Sequence, residues 1–176
     1  ALDNPYGSSK RAAEDALRHY AKQTGANVYI YRLPNVFGKW CKPNYNSAVA
    51  TFCHNIANDL PITIHDPNTP LTLVHVDDVI HDFMQVLQHT PTTAQQAFRA
   101  ITPEYQTTVG ELAQQIAGFR NSRNTLITPK VGTGLLRALY STYVSYLPTT
   151  DFAYSVPKYG DQRGVFVEML KTPDAG

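Results

Sequence analysis

A helix-forming stretch closed at both ends and followed at once by a β-rich run is the feature that most constrains this chain. Asn4 is an N-cap type, Pro5 is tolerated in a first helical turn, and Gly25 follows Lys22-Gln23-Thr24, so the pattern predicts a helix over residues 5–24. Val28-Tyr29-Ile30-Tyr31-Arg32-Leu33 then predicts a buried strand over 27–33. Helix and strand in close alternation point to an α/β fold, in which ligands sit at the carboxyl ends of the strands. The run ends in Pro34-Asn35-Val36-Phe37-Gly38, and that position makes this segment a candidate binding loop.

The helix carries a chemical signal. Tyr6 and Lys10 are four residues apart and share a face. An ammonium beside a phenol lowers the phenol's pKa from about 10 toward neutrality, which makes the tyrosine a candidate proton donor. By itself Y-x-x-x-K also describes any amphipathic helix with a snorkelling lysine.

Downstream, the pattern predicts a helix over 46–59 with Val49, Phe52, Cys53 and Ile56 on one side, and a short strand over 62–65. Leu71-Thr72-Leu73-Val74-His75-Val76-Asp77-Asp78-Val79 runs from an alternating strand into a helix, with an aspartate assigned to capping rather than to an acid pair or a metal. Residues 97–101 form a candidate strand, Thr108-Val109-Gly110-Glu111 a capping box, and 134–146 a further helix. Asp161-Gln162-Arg163-Gly164-Val165-Phe166-Val167-Glu168 alternates after a turn and predicts a lone strand.

Composition narrows the function. With 176 residues the chain has the length of one compact unit. The net charge is +1 and the basic residues are dispersed, which argues against nucleic acid as a partner. No apolar stretch has the length of a membrane span. Cys41 and Cys53 are the two cysteines; their spacing fits two reduced thiols and neither a disulfide framework nor a metal site, and the six histidines are unclustered.

Three segments in this order, Tyr6-x-x-x-Lys10, Arg32-x-x-Asn35-x-Phe37-Gly38 and His75-Val76-Asp77-Asp78, resemble the motifs of the extended short-chain dehydrogenases/reductases, the group of nucleotide-sugar epimerases, dehydratases and 4-keto reductases. The resemblance covers roughly residues 1 to 90. The stretches Asn4–Gly7 and Leu33–Asn46 are similar to the capsule-synthesis reductases of that family, in which a reductase is fused to a C-terminal cupin domain. The tail, D-x-R-G-x-F-x-E, is similar to the opening of cupin-type sugar epimerases. The resemblance therefore implies an α/β fold that is the C-terminal half of a Rossmann-like reductase. Residues 1–150 would be its catalytic and substrate-binding part, and 151–176 a linker and the first strand of a cupin domain.

It also implies chemistry: hydride transfer from NADPH, or NADH, to C4 of a UDP-linked keto sugar, with Tyr6 as general acid. Lys10 would lower the Tyr6 pKa and hold the nicotinamide ribose, while Leu33 and Pro34 flank the nicotinamide. Asn35 would contact the substrate diphosphate. Relatives carry an arginine near the start of the His-Val-Asp-Asp strand where this chain has Pro70-Leu71-Thr72, so Lys39, Lys42 or the loop holding Asn46 would complete diphosphate recognition. His75 would face the substrate, or else be a hydrogen-bonded structural histidine. No metal is implied for these residues. A two-fold dimer through helix 5–24 and a cytoplasmic location follow from the same resemblance.

The chain contains no G-x-x-G-x-x-G turn, the element that carries the dinucleotide pyrophosphate in this family, nor the family's catalytic serine or threonine. The expectation is that the dinucleotide half lies upstream of Ala1, and that this chain alone is inactive. Two other readings fit the residues: an epimerase or dehydratase on the same scaffold, and a non-catalytic module that binds sugar nucleotides or a subunit.

Overall fold

The computed structural model describes residues 3–89 and 96–172. The chain forms two compact units, each assembled from two separate stretches: one from Ala1–Pro34 and Asp77–Pro103, the other from Asn35–Val76 and Glu104–Gly176. The first and last residues of the chain, 1–2 and 173–176, and the segment 90–95 lie outside the described residues.

The first unit is built on helix α1 (Pro5–Thr24). Its ends obey the local signals: the Asn4 side chain accepts from the Gly7 amide at 2.8 Å, and Gly25 closes the helix at φ 71, a left-handed conformation that glycine adopts without strain. Strand β1 (Val28–Tyr31) follows and pairs in parallel with β4 (Gln96–Arg99). Ala21, Val28 and Ile30 form a small core. On α1, Ala21 is buried, whereas Ala13, Ala16, Leu17 and Tyr20 are exposed.

Helix α3 (Val76–Gln88) is locked to this sheet by one polar cluster. Asp82 accepts from the Tyr31 hydroxyl at 2.6 Å and from Nε and Nη2 of Arg99, at 3.2 and 2.8 Å. Burial and the Asp82 carboxylate push the Tyr31 phenol up to about 12, and the Arg99 guanidinium holds the Asp82 carboxyl below its usual range. A phenol with a raised pKa contributes stability that is fully present below pH 10.0 and lost as pH rises through about 12. Alkaline unfolding should therefore begin at lower pH in the native chain than the other tyrosines alone would dictate, and Tyr31→Phe should flatten that loss. Overlapping pH–stability curves for the two proteins between pH 9 and 12 would contradict the linkage.

The second unit is a three-stranded sheet in the order β2-β3-β5, where β2 is Asn35–Phe37, β3 is Pro70–His75 and β5 is Tyr105–Thr108. The β2–β3 pair is parallel and β3–β5 antiparallel. Helices α2 (Ala48–Ala57), α4 (Val109–Thr125) and α5 (Gly134–Val144) close one core around Phe37, Phe52, Leu73, Phe119, Leu139 and Tyr143. The capping box at Thr108 and Glu111 is present in both directions, and α2 buries Val49, Phe52 and Cys53 as its spacing requires.

Three expectations need correction. Residues 62–65 form no strand. The segment pairs with no strand of the sheet, although Ile62 and Ile64 still pack on the core. Helix α3 begins at Val76, directly after β3, so Asp77 and Asp78 lie inside its first turn and not at a cap; there they complement the helix dipole. The tail is not a lone strand: β6 (Lys158–Asp161) and β7 (Gly164–Val167) form an antiparallel hairpin. Its two-residue loop is held by Arg163, whose amide and guanidinium donate to Asp161, and Gly164 takes φ 155, which glycine alone adopts readily.

This hairpin buries almost nothing, and Tyr159, Val165 and Phe166 are exposed. Two backbone bonds, from Lys171 N to Leu126 O at 2.7 Å and from Thr128 N to Lys171 O at 2.9 Å, tie the end of the tail back. Deleting residues 158–176 should move the melting temperature by less than about 2 °C, the shift that half a kcal/mol produces in a chain this long. A larger drop, read by calorimetry, would mean that the tail belongs to the core of the second unit.

Candidate active-site residues

The expected site residues divide between the two units. Tyr6, Lys10, Leu33 and Pro34 belong to the first; Asn35, Lys39, Lys42, Asn46 and His75 belong to the second.

In the first unit Tyr6 sits in the first turn of α1, 67 % exposed, and the Lys10 ammonium stands 5.3 Å from its ring centroid. The pair thus shares one exposed face of the helix. Gly7, beside it, is buried, and the Ser9 hydroxyl donates to the Tyr6 carbonyl at 2.8 Å, which tightens this turn. Leu33 and Pro34 lie on the irregular segment that leaves β1, Leu33 at the edge of exposure.

Arg32, which opens the second motif, has a role that the sequence reading left unassigned. Its guanidinium makes a two-pronged bond to Glu14 on α1, at 2.9 and 2.7 Å, and stacks 4.4 Å from the Phe98 ring centroid. Glu14 is four residues beyond Lys10, on the same stripe of the helix, so this fork fixes the rotation of the stripe that carries Tyr6 and Lys10 against the end of β1. The pair holds the Glu14 carboxyl below its ordinary pKa. The spacing Tyr6, Lys10, Glu14 was the available signal.

In the second unit Asn35 opens β2 opposite Leu73 and donates from Nδ2 to the Thr72 carbonyl at 3.2 Å. One of its two amide protons is therefore used within the sheet. Phe37 pairs with His75, whose ring is buried against it at 5.2 Å, so His75 packs as a core residue at the strand end. Gly38 explains the glycine of the motif: a Cβ there would lie 2.2 Å from Val76 Cγ1. The Val76 side chain of the third motif thus packs directly on the backbone of the second at Gly38.

The loop that follows carries Lys39, Lys42 and Asn46. It is pinned at two points, by the Tyr146 hydroxyl donating to the Cys41 carbonyl and by the Asn44 amide donating to Thr51 Oγ1 at 2.9 Å, before Ser47 caps α2. Burial pushes the Tyr146 phenol up to about 12, which keeps it a donor over the physiological range. Lys42 stands 5.7 Å from the Tyr45 ring centroid, and Asn46 is exposed. The Cys53 thiol is fully buried and pushed well above its ordinary pKa, so it is no nucleophile. Among the described residues no group of three or more histidine, cysteine or acidic side chains could hold a metal, and no helix is long and apolar enough to cross a membrane.

Residues 1–99, which include all three motifs, match the NAD dependent epimerase/dehydratase family. The chain belongs to this family. It is 56 % identical, over 99 % of its length, to a UDP-2-acetamido-2,6-beta-L-arabino-hexul-4-ose reductase of Pseudomonas aeruginosa, of which it covers 46 %. Among solved structures it is similar to the capsular polysaccharide assembling protein CapF of Staphylococcus aureus, with TM-score 0.91 and 45 % identity, covering 100 % of this chain and 48 % of that one. The UDP-glucose 4-epimerase of Thermus thermophilus, at TM-score 0.65 and 19 % identity over 83 % of this chain and 55 % of that one, shares the fold. The chain spans about half the length of these two relatives.

Proposed function

We propose that this chain supplies the proton donor and the substrate-facing loop of a reductase that delivers hydride to C4 of a UDP-linked 4-keto sugar. The observation that carries the reading is the 56 % identity to a named hexul-4-ose reductase across nearly the whole chain. The Tyr6–Lys10 pair fits it, because a ketone that accepts hydride becomes an alkoxide and needs a proton from a positioned acid.

In this reading Tyr6 donates its phenolic proton to the developing C4 alkoxide, and Lys10 stabilises the phenolate left behind. Glu14 and Arg32 hold the helix in register without touching substrate. Asn35, with its second amide proton, together with Lys39, Lys42 and Asn46, binds the substrate diphosphate and sugar. His75 supports the β2–β3 sheet end from which that loop departs. A reduced nicotinamide supplies the hydride; Lys10 and the segment Leu33–Pro34 are the residues here that fit its ribose and ring. The exposed ammonium at Lys10 suits ribose hydroxyls, and NADPH is the cofactor we propose. The pyrophosphate needs a glycine-rich turn, which this chain does not contain.

We extend the proposal to architecture and setting. Residues 151–176 lead into a cupin-type second domain, a reading supported by a hairpin that buries no core of its own. The exposed Ala13, Ala16, Leu17 and Tyr20 face of α1 suits a two-fold partner, which sedimentation reads directly. The setting is the synthesis of a capsular polysaccharide in the cytoplasm.

The test is to express a polypeptide of the relatives' length that carries this chain and supply a UDP-linked 4-keto sugar with NADPH. Reduced sugar should form with one NADPH oxidised per product. Turnover without net NADPH oxidation would place the protein among epimerases, and binding without turnover would make it a non-catalytic module.

A further inference from the structure

Residues 1–34 hold three side-chain carboxylates, Asp3, Glu14 and Asp15, and each lies against an arginine. Asp3 is 3.8 Å from Arg11, Asp15 is 3.9 Å from Arg18, and Arg32 grips Glu14 at 2.9 and 2.7 Å. Lys10 lies among them on α1, yet no carboxylate of the described residues pairs with it. Its ammonium stands over the Tyr6 ring instead.

Helix geometry makes that arrangement unexpected. Glu14 is one turn beyond Lys10 on the same stripe, a spacing at which a lysine and a glutamate attract each other. Arg32 stands in the way. Its planar fork occupies both carboxylate oxygens, Nε donating to Oε1 and Nη2 to Oε2, a geometry against which a single ammonium competes poorly. The guanidinium is itself held, stacked 4.4 Å from the Phe98 ring centroid, with Arg18 4.8 Å from the same ring. The Glu14 side chain is only 18 % exposed, so without Arg32 its carboxylate would be driven toward another cation. The cations within a turn of it on α1 are Lys10, Arg11 and Arg18; the two arginines already face Asp3 and Asp15, and Lys10 faces no acid.

We propose that Arg32 is a positioning residue that acts through charge: by holding Glu14 it keeps the Lys10 ammonium uncommitted, so that Lys10 can serve Tyr6 and the nicotinamide ribose. This rests on the roles given to Tyr6 and Lys10 above, and it adds an electrostatic task to the mechanical one of the fork. The arginine that opens the second motif is then required because it removes a competitor from the first.

The experiment compares Arg32→Gln with the double variant Arg32→Gln/Glu14→Gln, which breaks the same fork but leaves no carboxylate to draw Lys10 away. The Arg32 side chain is 62 % exposed, so neither variant touches the core. In the 176-residue chain, acylation of Lys10 by acetic anhydride is followed by mass spectrometry, with Lys22 on the same helix as internal reference. An amine bound to a carboxylate reacts more slowly, so Lys10 acylation should slow by about threefold in Arg32→Gln and return to the native rate in the double variant. In an enzyme of the relatives' length carrying this chain, kcat for keto-sugar reduction should fall by about tenfold in Arg32→Gln and recover most of that loss in the double variant. Equal losses of kcat in the two variants would make the fork a brace and nothing more, and would overturn the proposal. Unchanged Lys10 acylation in Arg32→Gln, the result of Arg18 capturing Glu14, would overturn it too. The acylation arm needs no turnover: a native enzyme that reduces no keto sugar, with Lys10 acylation slowed and restored as expected, would remove the reductase reading and uphold the hold of Arg32 on Glu14.

Discussion

Tyr6→Phe, in an enzyme of the relatives' length carrying this chain, should lower kcat for keto-sugar reduction by about 10²–10⁴-fold, the loss expected for a missing general acid. The substitution keeps the ring over which Lys10 stands at 5.3 Å and removes only the proton. Tyr6 is exposed and its ring supports no core, so KM for the sugar nucleotide and the affinity for NADPH should change little. The variant and native proteins should also melt together. Steady-state kinetics with both substrates varied is the check; kcat within threefold of native would show that another group donates the proton.

The second large effect is structural. Gly38→Ala should destabilise the second unit by about 1–3 kcal/mol, the usual penalty for forcing a methyl group into filled space. The added Cβ would lie 2.2 Å from Val76 Cγ1 and 3.0 Å from its Cβ. Val76 is β-branched and begins α3, so its side chain has little freedom to turn away. The clash pushes on the junction where β3 ends and α3 starts. Replacing Val76 by alanine in the same chain should recover most of the loss, because the two substitutions act on one contact and are coupled. Chemical denaturation of the single and double variants reads this; an unchanged midpoint for Gly38→Ala would mean that the motif glycine is there for another reason.

What the sequence made legible was local. Helix α1 was readable at both ends because Asn4, Pro5 and Gly25 act within one turn of themselves, and the capping box at Thr108 was readable for the same reason. The Tyr6–Lys10 pair was readable because a helix converts spacing into direction. The segment 62–65 misled because its alternating burial is real while its pairing is not: a strand needs a ladder partner from elsewhere in the chain, which local alternation does not report. The hairpin was half visible, since the pattern after Gly164 was plain but Lys158–Asp161 lacks an apolar alternation to announce a partner.

The same distinction runs through the candidate site. Arg32 could be seen to open a motif, but only the structure joins it to Glu14 and Phe98. Asp82, Tyr31 and Arg99 come from a helix and two strands, and no spacing links them.

The central claim is that Tyr6 acts as the acid for hydride addition to a keto sugar, and a single turnover tests it most directly. With NADPH prebound in an enzyme of the relatives' length carrying this chain and excess UDP-linked 4-keto sugar added, native protein should give a fast nicotinamide absorbance loss. In Tyr6→Phe the fast phase should vanish. A fast phase that persists in the variant at the native rate would contradict the account.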